Sequence, residues 1–238
     1  MLPLLISKNI IRFTLESGKS EIEDLLAVEK EIYIYLNNKI YSLSGTPHHI
    51  KELVLGFLLT QNLIEKSAFP ESIEIEESAE KILVKVKTLR NFEILNPPVQ
   101  EEKDLKIEAS KLLELFKAFV EASKLFEITG GTHSACLAEE KKILFFVEDI
   151  RRHNAMDKVI GWAYSNRISL KDKLFFISSR ISSEIVKKAM QAKIPLIASR
   201  GAPTSLAVNL AEKNEITLIG FLREKRFNLY THPQRVIF

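Results

Sequence analysis

The feature that most constrains the fold is a unit repeated in the second half of the chain, in which an apolar strand leads through a polar loop into a helix. Strands are predicted over 143–147, 174–178, 195–199 and 216–221, and they are almost continuously apolar. Such strands are typical of a parallel sheet that is covered on both faces. We therefore expect an α/β domain in which four parallel strands end on one edge of the sheet.

The first part of the chain has a different pattern, because its strands occur in pairs. Apolar residues alternate on both sides of the turn pair Asn37-Asn38, which predicts a hairpin. A helix is predicted over 47–64 and a second strand pair over 72–75 and 82–86. Pro97-Pro98 and the charged run after them mark a linker. The sequence thus predicts a small α+β domain (1–95), a linker (96–106) and an α/β domain (107–238).

Two helices of the second domain are predicted in detail. The first has Leu112, Phe116, Phe119 and Val120 on one apolar stripe and stops before Gly130-Gly131. The second begins near Asn154, and Asp157 three residues later is placed as its cap partner.

Composition limits the class of protein. The 238 residues are 46% apolar and 27% charged, which is enough for a real core. A net charge of +3 is too small for charge alone to indicate a nucleic acid or membrane partner. No stretch reaches the roughly 20 apolar residues of a membrane span, and the amino end lacks the features of a secretory signal. A single cysteine, Cys136, excludes an internal disulfide or a four-cysteine zinc site. We expect a reduced, cytoplasmic protein.

Basic residues follow each of the four strands. Because parallel strands end on the same side, their loops should form one basic rim with Arg151, Arg152, Arg180, Arg200, Arg223, Lys225 and Arg226. Helix amino ends add free N–H groups there, and hydroxyl groups come from Ser179, Ser183, Thr204 and Ser205. An extended polyanion fits such a rim.

The strength of binding at this rim can be gauged from the arginines alone. Each charge-assisted hydrogen bond contributes about 1.5 to 3 kcal/mol, so four would supply roughly the 8 kcal/mol of micromolar binding. The alternative is that the arginines are solvated or pair with nearby carboxylates. For one arginine this alternative is the better interpretation, but for four loops together it is the weaker one.

Histidine and cysteine side chains are the remaining candidates. His133 and His153 are candidate polar contacts at the same rim, although surface placement is the default for a single histidine. Cys136 is the sole candidate for a catalytic thiol, and an unperturbed thiol with a pKa of about 8.5 is mostly protonated at pH 7. If 132–138 is a strand, Cys136 faces away from His133. A buried core residue is the favoured interpretation of Cys136.

Four segments resemble the FdhD family of formate dehydrogenase accessory sulfurtransferases. They are TGGTH (129–133), EDIRRHNAMDKVIG (148–161), SRGAPTSLAV (199–208) and FNLYTHP (227–233). The second is specific enough to argue against a chance match. In the first domain the match is weaker and rests on a hairpin followed by ELVLGFLL (52–59).

This resemblance implies a three-layer α/β/α core of the cytidine-deaminase type, a homodimer, and binding of the molybdenum cofactor bis-molybdopterin guanine dinucleotide. Family members pass sulfur from a cysteine desulfurase to this cofactor before it enters formate dehydrogenase, which implies both proteins as partners. The family's cofactor-binding stretch falls on Phe221, Leu222, Arg223, Glu224, Lys225 and Arg226. The rim argument adds Arg180, Ser199, Arg200, Thr204, Ser205, His133, Arg152 and His153 as candidate cofactor-binding residues.

One departure from the family bears on chemistry. Family members usually carry the persulfide on a Cys-x-x-Cys loop between the domains, but residues 91–104 contain no cysteine. Either the protein only binds or chaperones the cofactor, or sulfur is handled elsewhere, with Cys136 as the weak candidate. A zinc deaminase would need more cysteines than the chain has. A nucleotide-binding regulatory module remains as a second alternative.

Overall fold

A computed structural model describes residues 3–64, 70–88 and 105–238. Residues 91–104, where the family's cysteine loop would fall, and most of the predicted linker lie outside the described residues. The division into domains at 96–106 therefore stays a prediction.

The chain begins with a ribbon that the sequence patterns did not predict. β1 (Leu5–Thr14) and β2 (Gly18–Ala27) pair antiparallel along their whole length. Gly18 has a φ of 68°, which a glycine adopts without strain and which helps to close the turn. Near this turn Phe13 is 70% exposed and Leu15 is 96% exposed. The ribbon projects apolar side chains into solvent.

A four-stranded sheet and one helix follow the ribbon. The predicted hairpin is confirmed as β3 (Lys30–Leu36) and β4 (Lys39–Gly45). After α1 (Ile50–Thr60), the second predicted pair forms β5 (Pro70–Glu77) and β6 (Lys81–Thr88), and the sheet order is β4-β3-β6-β5. α1 covers this sheet through an apolar core.

The remaining elements build the second part of the molecule. In chain order they are β7 (Ile107–Glu108), α2 (Ala109–Glu121), α3 (Lys124–Thr129), β8 (His133–Glu139), β9 (Lys142–Asp149), α4 (Arg152–Ser165), β10 (Leu174–Ile177), α5 (Ser183–Ala192), β11 (Leu196–Ser199), α6 (Ser205–Lys213), β12 (Thr217–Arg223), β13 (Arg226–Thr231), a 3-10 turn (Pro233–Arg235) and β14 (Val236–Ile237).

The main sheet has six strands in the order β13-β12-β11-β10-β8-β9. The prediction of four adjacent parallel strands is wrong in one respect. Only β10, β11 and β12 are parallel neighbours, because β8 lies between β9 and β10 and runs antiparallel to both. The four predicted strands nevertheless point the same way, so their carboxyl ends share one edge as expected.

Helices cover both faces of this sheet, which confirms an α/β fold. On one face α2 packs against side chains that include Cys136 and Phe176. On the other face α4, α5 and α6 pack against side chains that include Leu137 and Phe175. The sheet therefore forms the middle layer of three.

The predicted long helix before Gly130 is wrong in its length. It is divided into α2 and α3, because the first helix already ends at Glu121. Val120, which the pattern assigned to the apolar stripe, is 42% exposed.

Two glycines bring the two parts of the molecule into contact. A Cβ atom on Gly56 of α1 would lie 1.8 Å from the carbonyl oxygen of Asp157 in α4. A Cβ atom on Gly161 of α4 would lie 1.9 Å from the carbonyl oxygen of Glu52. Only glycine permits this approach, so the backbones of α1 and α4 touch directly.

Candidate functional site

The loops that follow β10, β11 and β12 are bonded into one surface. The N–H of Ile181 donates to the carbonyl oxygen of Ala202 at 3.1 Å, and the N–H of Phe221 donates to that of Gly201 at 3.1 Å. A Cβ atom on Gly201 would lie 2.8 Å from the nitrogen of Arg180, so glycine is required there. The part of the predicted rim that follows β10, β11 and β12 is therefore a continuous surface with a fixed backbone.

Several of the predicted site residues lie together on this surface. Arg180 and Arg200 are exposed at the ends of adjacent parallel strands, and neither has an ion-pair partner among the described residues. Thr204 caps α6 by accepting a hydrogen bond from the N–H of Ala207 at 3.3 Å. We define the arginine rim as Arg180, Arg200, Thr204, Ser205, Phe221, Arg223, Lys225 and Arg226.

Arg223 supports a neighbouring loop as well as facing the rim. Its Nη1 donates to the carbonyl oxygens of Arg200 at 2.7 Å and Leu222 at 2.8 Å. This side chain is half-buried and fixed, whereas Glu224 and Lys225 in the following turn are exposed. A fixed guanidinium beside exposed charges is suited to orienting an anion.

Two of the predicted contact residues are buried beneath the rim. The Ser199 hydroxyl donates to the carbonyl oxygen of Ser179 and accepts from the N–H of Gly201 at 2.9 Å. Leu222 is fully buried in the core on the α2 side. Their side chains hold the loops in place from below.

Phe221 has an unusual backbone that aims its ring outward. Its φ is 51°, a left-handed conformation that costs a bulky residue about 1 to 3 kcal/mol. It lies in a β-bulge, because Phe221 and Leu222 together oppose one residue, Phe227, on β13. The bulge leaves Leu222 in the core and Phe221 39% exposed. An aromatic ring therefore stands next to the loop that carries Arg200. Strand periodicity alone did not predict this bulge.

The other predicted residues form a second group at the opposite side of the same edge. His133 begins β8, and its Nδ1 lies 3.5 Å from the Ser178 Oγ after β10. His153 lies in the first turn of α4, and its Nε2 is 3.4 Å from the Arg152 Nε. We define the histidine cluster as His133, Arg152, His153, Ser178 and Ser182.

Burial favours the neutral form of both histidines of this cluster. Burial lowers the pKa of His133, and the charge of Arg152 lowers it further. Burial also lowers the pKa of His153, with further lowering by the charges of Lys188 and Arg152. Both pKa values therefore lie below the usual histidine value of about 6.5.

The segment with the most specific motif, residues 148–161, has a mainly structural role, because several of its charged side chains form buried ion pairs. The Lys158 Nζ lies 2.5 Å from the Asp149 Oδ2 and also donates to the Thr46 Oγ1 at 2.8 Å. The Lys188 Nζ lies 2.7 Å from the Asp157 Oδ2, and Thr60 donates to the same carboxylate. These buried clusters join the segment after β4 and the end of α1 to α4 and α5. The prediction that Asp157 is a helix cap partner is wrong, because its carboxylate is buried against Lys188.

Glu148 also has a structural role. Its carboxylate accepts hydrogen bonds from the N–H groups of Leu125 at 2.8 Å and Phe126 at 2.7 Å, and from the Thr132 hydroxyl at 2.9 Å. Arg151 lies 3.4 Å from Glu29 and donates to Ser44. Arg151 therefore faces the first part of the molecule.

Cys136 lies where the strand alternation placed it. It is fully buried in β8 and packs in the core on the α2 side. Burial raises the pKa of its thiol far above the usual value, so the thiolate is strongly disfavoured. The only cysteine of the chain is thus a core residue without access for a reaction partner.

Metal sites and membrane spans are both absent from the described part of the chain. Over residues 3–64, 70–88 and 105–238, no three His, Cys, Asp or Glu side chains lie close enough to hold a metal ion. In the same ranges no helix is long and apolar enough to cross a membrane.

Comparison with known proteins gives a consistent result. The chain matches the FdhD/NarQ family over residues 27–96 and 85–237. It is 34% identical to the sulfur carrier protein FdhD of Bacillus subtilis, covering 93% of this chain and 94% of the relative. It is 33% identical to the sulfur carrier protein FdhD of Bacillus pumilus, covering 99% of each. A crystal structure described as a putative formate dehydrogenase accessory protein from Desulfotalea psychrophila superposes with a TM-score of 0.83 at 26% identity, covering 99% of this chain and all of that one. The chain belongs to the FdhD/NarQ family.

Proposed function

We propose that this protein is a formate dehydrogenase accessory protein that binds the bis-molybdopterin guanine dinucleotide molybdenum cofactor at the arginine rim. The observation that carries the proposal is the Phe221 bulge, in which a strained backbone leaves an aromatic side chain exposed next to the loop that carries Arg200. Strain of this kind persists where the surrounding structure enforces it, and such positions cluster at functional sites.

The rim residues fit the guanosine diphosphate part of this cofactor. Phe221 offers a ring face on which a base can stack. Arg180 and Arg200 offer guanidinium groups, and the exposed start of α6 adds the Ser205 hydroxyl and free backbone N–H groups. When bound, the cofactor supplies the metal chemistry, while these residues bind and orient its nucleotide end.

In our proposal this chain does not carry sulfur itself, unlike a carrier with a Cys-x-x-Cys loop. Residues 91–104 contain no cysteine, and Cys136 is buried. We propose that the persulfide stays on a partner, the cysteine desulfurase, while this chain holds the cofactor and then presents it to formate dehydrogenase. The homodimer implied by the family resemblance and the cytoplasmic location expected from the single cysteine are part of the same proposal.

Calorimetric titration with guanosine diphosphate, guanosine monophosphate and guanosine tests the rim. We expect affinity to fall in that order and to weaken as salt rises, since partly exposed charges are screened over about 8 to 10 Å. Arg200→Ala should weaken guanosine diphosphate binding about tenfold to a hundredfold. Arg12→Ala on the exposed face of β1 serves as the matched control and should have no effect.

Two outcomes would overturn parts of this proposal. Equal affinity for guanosine and its diphosphate would exclude the arginine rim as a phosphate site. Equal affinity for adenosine and guanosine diphosphates would keep the polyanion site but remove the guanylated cofactor as its ligand. Mass spectrometry of ligands that copurify from a host making this cofactor gives an independent check.

A further inference from the structure

The histidine cluster lies at the amino end of β8, between the carboxyl ends of β9 and β10. β9 lies on one side of β8 and β10 on the other, so the segments leading into α4 and α5 leave from opposite sides of β8. Ligands of open α/β sheets bind outside the carboxyl ends of the strands, which is where this cluster lies. His133, the first residue of β8, lies between these two segments.

The first turns of α4 and α5 meet at this point. The His153 Nε2 in α4 is 3.1 Å from the Glu184 Oε2 in α5. No side chain caps α4, whose cap residue is Arg151, and none caps α5, whose cap residue is Ser182. Their free N–H groups therefore add positive dipole ends beside the charge of Arg152.

Two polar atoms of this cluster are buried with unmet hydrogen-bonding capacity. The Nδ1 of His153 and the Oγ of Ser182 have no hydrogen-bond partner within the described residues. The contrast with α6 is direct, because there the equivalent residue, Thr204, uses its hydroxyl to cap the helix. Buried polar groups in native proteins normally have a protein or water partner, so these two atoms leave hydrogen-bonding capacity for a further group at the cluster.

Glu184 shows what kind of group the cluster accepts. Its carboxylate contacts His153 although its side chain is 67% exposed. An exposed side chain can turn away at little cost, which makes this carboxylate an internal substitute that a bound anion would displace. The other charged groups that face the histidines are Arg152, Lys188 and Asp149.

We propose that the histidine cluster is a second anion subsite, separate from the arginine rim, that binds a compact phosphate-like oxyanion. Two to three strand spacings separate β8 from β11 and β12, which is about 10 to 14 Å along the sheet edge. The inference rests on the proposed function in that an extended dinucleotide cofactor bound at the rim could reach this subsite with a second anionic group.

Nuclear magnetic resonance of the histidine rings tests the subsite with inorganic phosphate as the probe. The chain has five histidines, and His133→Gln and His153→Gln assign the two signals. An anion within a few ångströms favours the charged form of a ring, so phosphate should shift both signals and raise both pKa values. Ser182→Ala and Arg152→Gln should each weaken this response several-fold, while Arg200→Ala should leave it unchanged.

The outcomes separate this inference from the proposed function. If phosphate leaves both ring signals unmoved while Arg200→Ala still weakens guanosine diphosphate binding, the subsite is wrong and the rim stands. If phosphate moves both rings while Arg200→Ala has no effect on the nucleotide, the rim is wrong and the subsite stands. A wild-type response that Ser182→Ala and Arg152→Gln both retain in full, in variants with unchanged thermal unfolding, would also overturn the subsite.

Discussion

The arginine rim and the buried lysine clusters both consist of charged residues in strongly patterned segments, but they place those charges in opposite environments. Arg180 and Arg200 are exposed and have no ion-pair partner in the described part of the chain. Lys158 and Lys188 are buried, and each is bonded to a carboxylate and a threonine. An exposed charged side chain can exchange its partner for water or a ligand. A buried one cannot, because a buried charge without its counter-charge strongly destabilises the fold.

This difference shows that the specificity of a motif does not by itself indicate a ligand site. The block at 148–161 carries the most specific resemblance, yet Asp149, Asp157 and Lys158 hold the first part of the molecule against the second. The two arginines without an ion-pair partner lie instead in the loops of the arginine rim, and of these only Arg200 falls in a family-like segment. The following predictions test this division between structural and binding charges.

The largest effect is expected for Lys158→Met, which leaves the Asp149 carboxylate buried without its counter-charge. We expect the free energy of unfolding to fall by about 3 to 5 kcal/mol, measured by urea denaturation. Lys187→Met, at an exposed position of α5, is the control and should change it by less than about 0.5 kcal/mol. A loss below about 1 kcal/mol for Lys158→Met would show that the Lys158–Asp149 pair contributes no more than an ordinary surface ion pair.

Gly161→Ala should have the next largest effect, because its Cβ would overlap the carbonyl oxygen of Glu52 and force α1 away from α4. We expect a loss of about 1 to 3 kcal/mol in thermal or chemical unfolding. The sign of this change in stability is informative, because alanine in place of glycine normally stabilises a helix. Gly131→Ala is the control, because the nearest atom to its Cβ is 3.5 Å away. Equal stability of both variants would contradict the close helix contact.

Phe221→Gly separates binding from stability at the rim. Glycine adopts a positive φ without strain, so we expect the free energy of unfolding to stay within about 1 kcal/mol. Loss of ring stacking should weaken guanosine diphosphate binding by about 1 to 3 kcal/mol in calorimetry. Phe126→Ala on α3 removes another exposed ring and should not affect binding. Unchanged affinity in Phe221→Gly would leave the bulge without a role in ligand binding.

Cys136→Ser should have the smallest effect on function. We expect unchanged affinity for guanosine diphosphate, since the thiol packs in the core and lies away from the rim. Incubation of the wild-type protein with a desulfurase and cysteine, followed by intact mass measurement, should show no persulfide. An adduct that is lost in Cys136→Ser would restore a covalent role for this chain in sulfur transfer.

The sequence predicted those features that depend on local periodicity. The paired strands around Asn37, the four strands of the second part and the side of β8 that carries Cys136 all follow from alternation or apolar runs. The ribbon was not predicted, because the polar run Ser7-Lys8-Asn9 interrupts the apolar alternation of β1. The insertion of β8 was also not predicted, because periodicity does not fix the order of strands in a sheet.

The candidate site also has features that the sequence predicted and features that it did not. The rim followed from the rule that parallel strands end together, so the sequence alone was enough to group Arg180, Arg200 and Arg223. The ion pair between Asp157 and Lys188 joins residues 31 positions apart in the sequence, and no local pattern reports such a pair. The Phe221 bulge depends on how β12 and β13 pair, which is likewise a tertiary property.

The ribbon of β1 and β2 should unfold locally before the rest of the protein. A two-stranded sheet is only marginally stable by itself, and most side chains of this one are exposed. Its amide hydrogens should exchange with solvent through local opening, long before those of β10 and β11, whose exchange requires the whole core to unfold. The molecule thus combines a rigid centre with an amino-terminal arm that can loosen and re-form at little energetic cost.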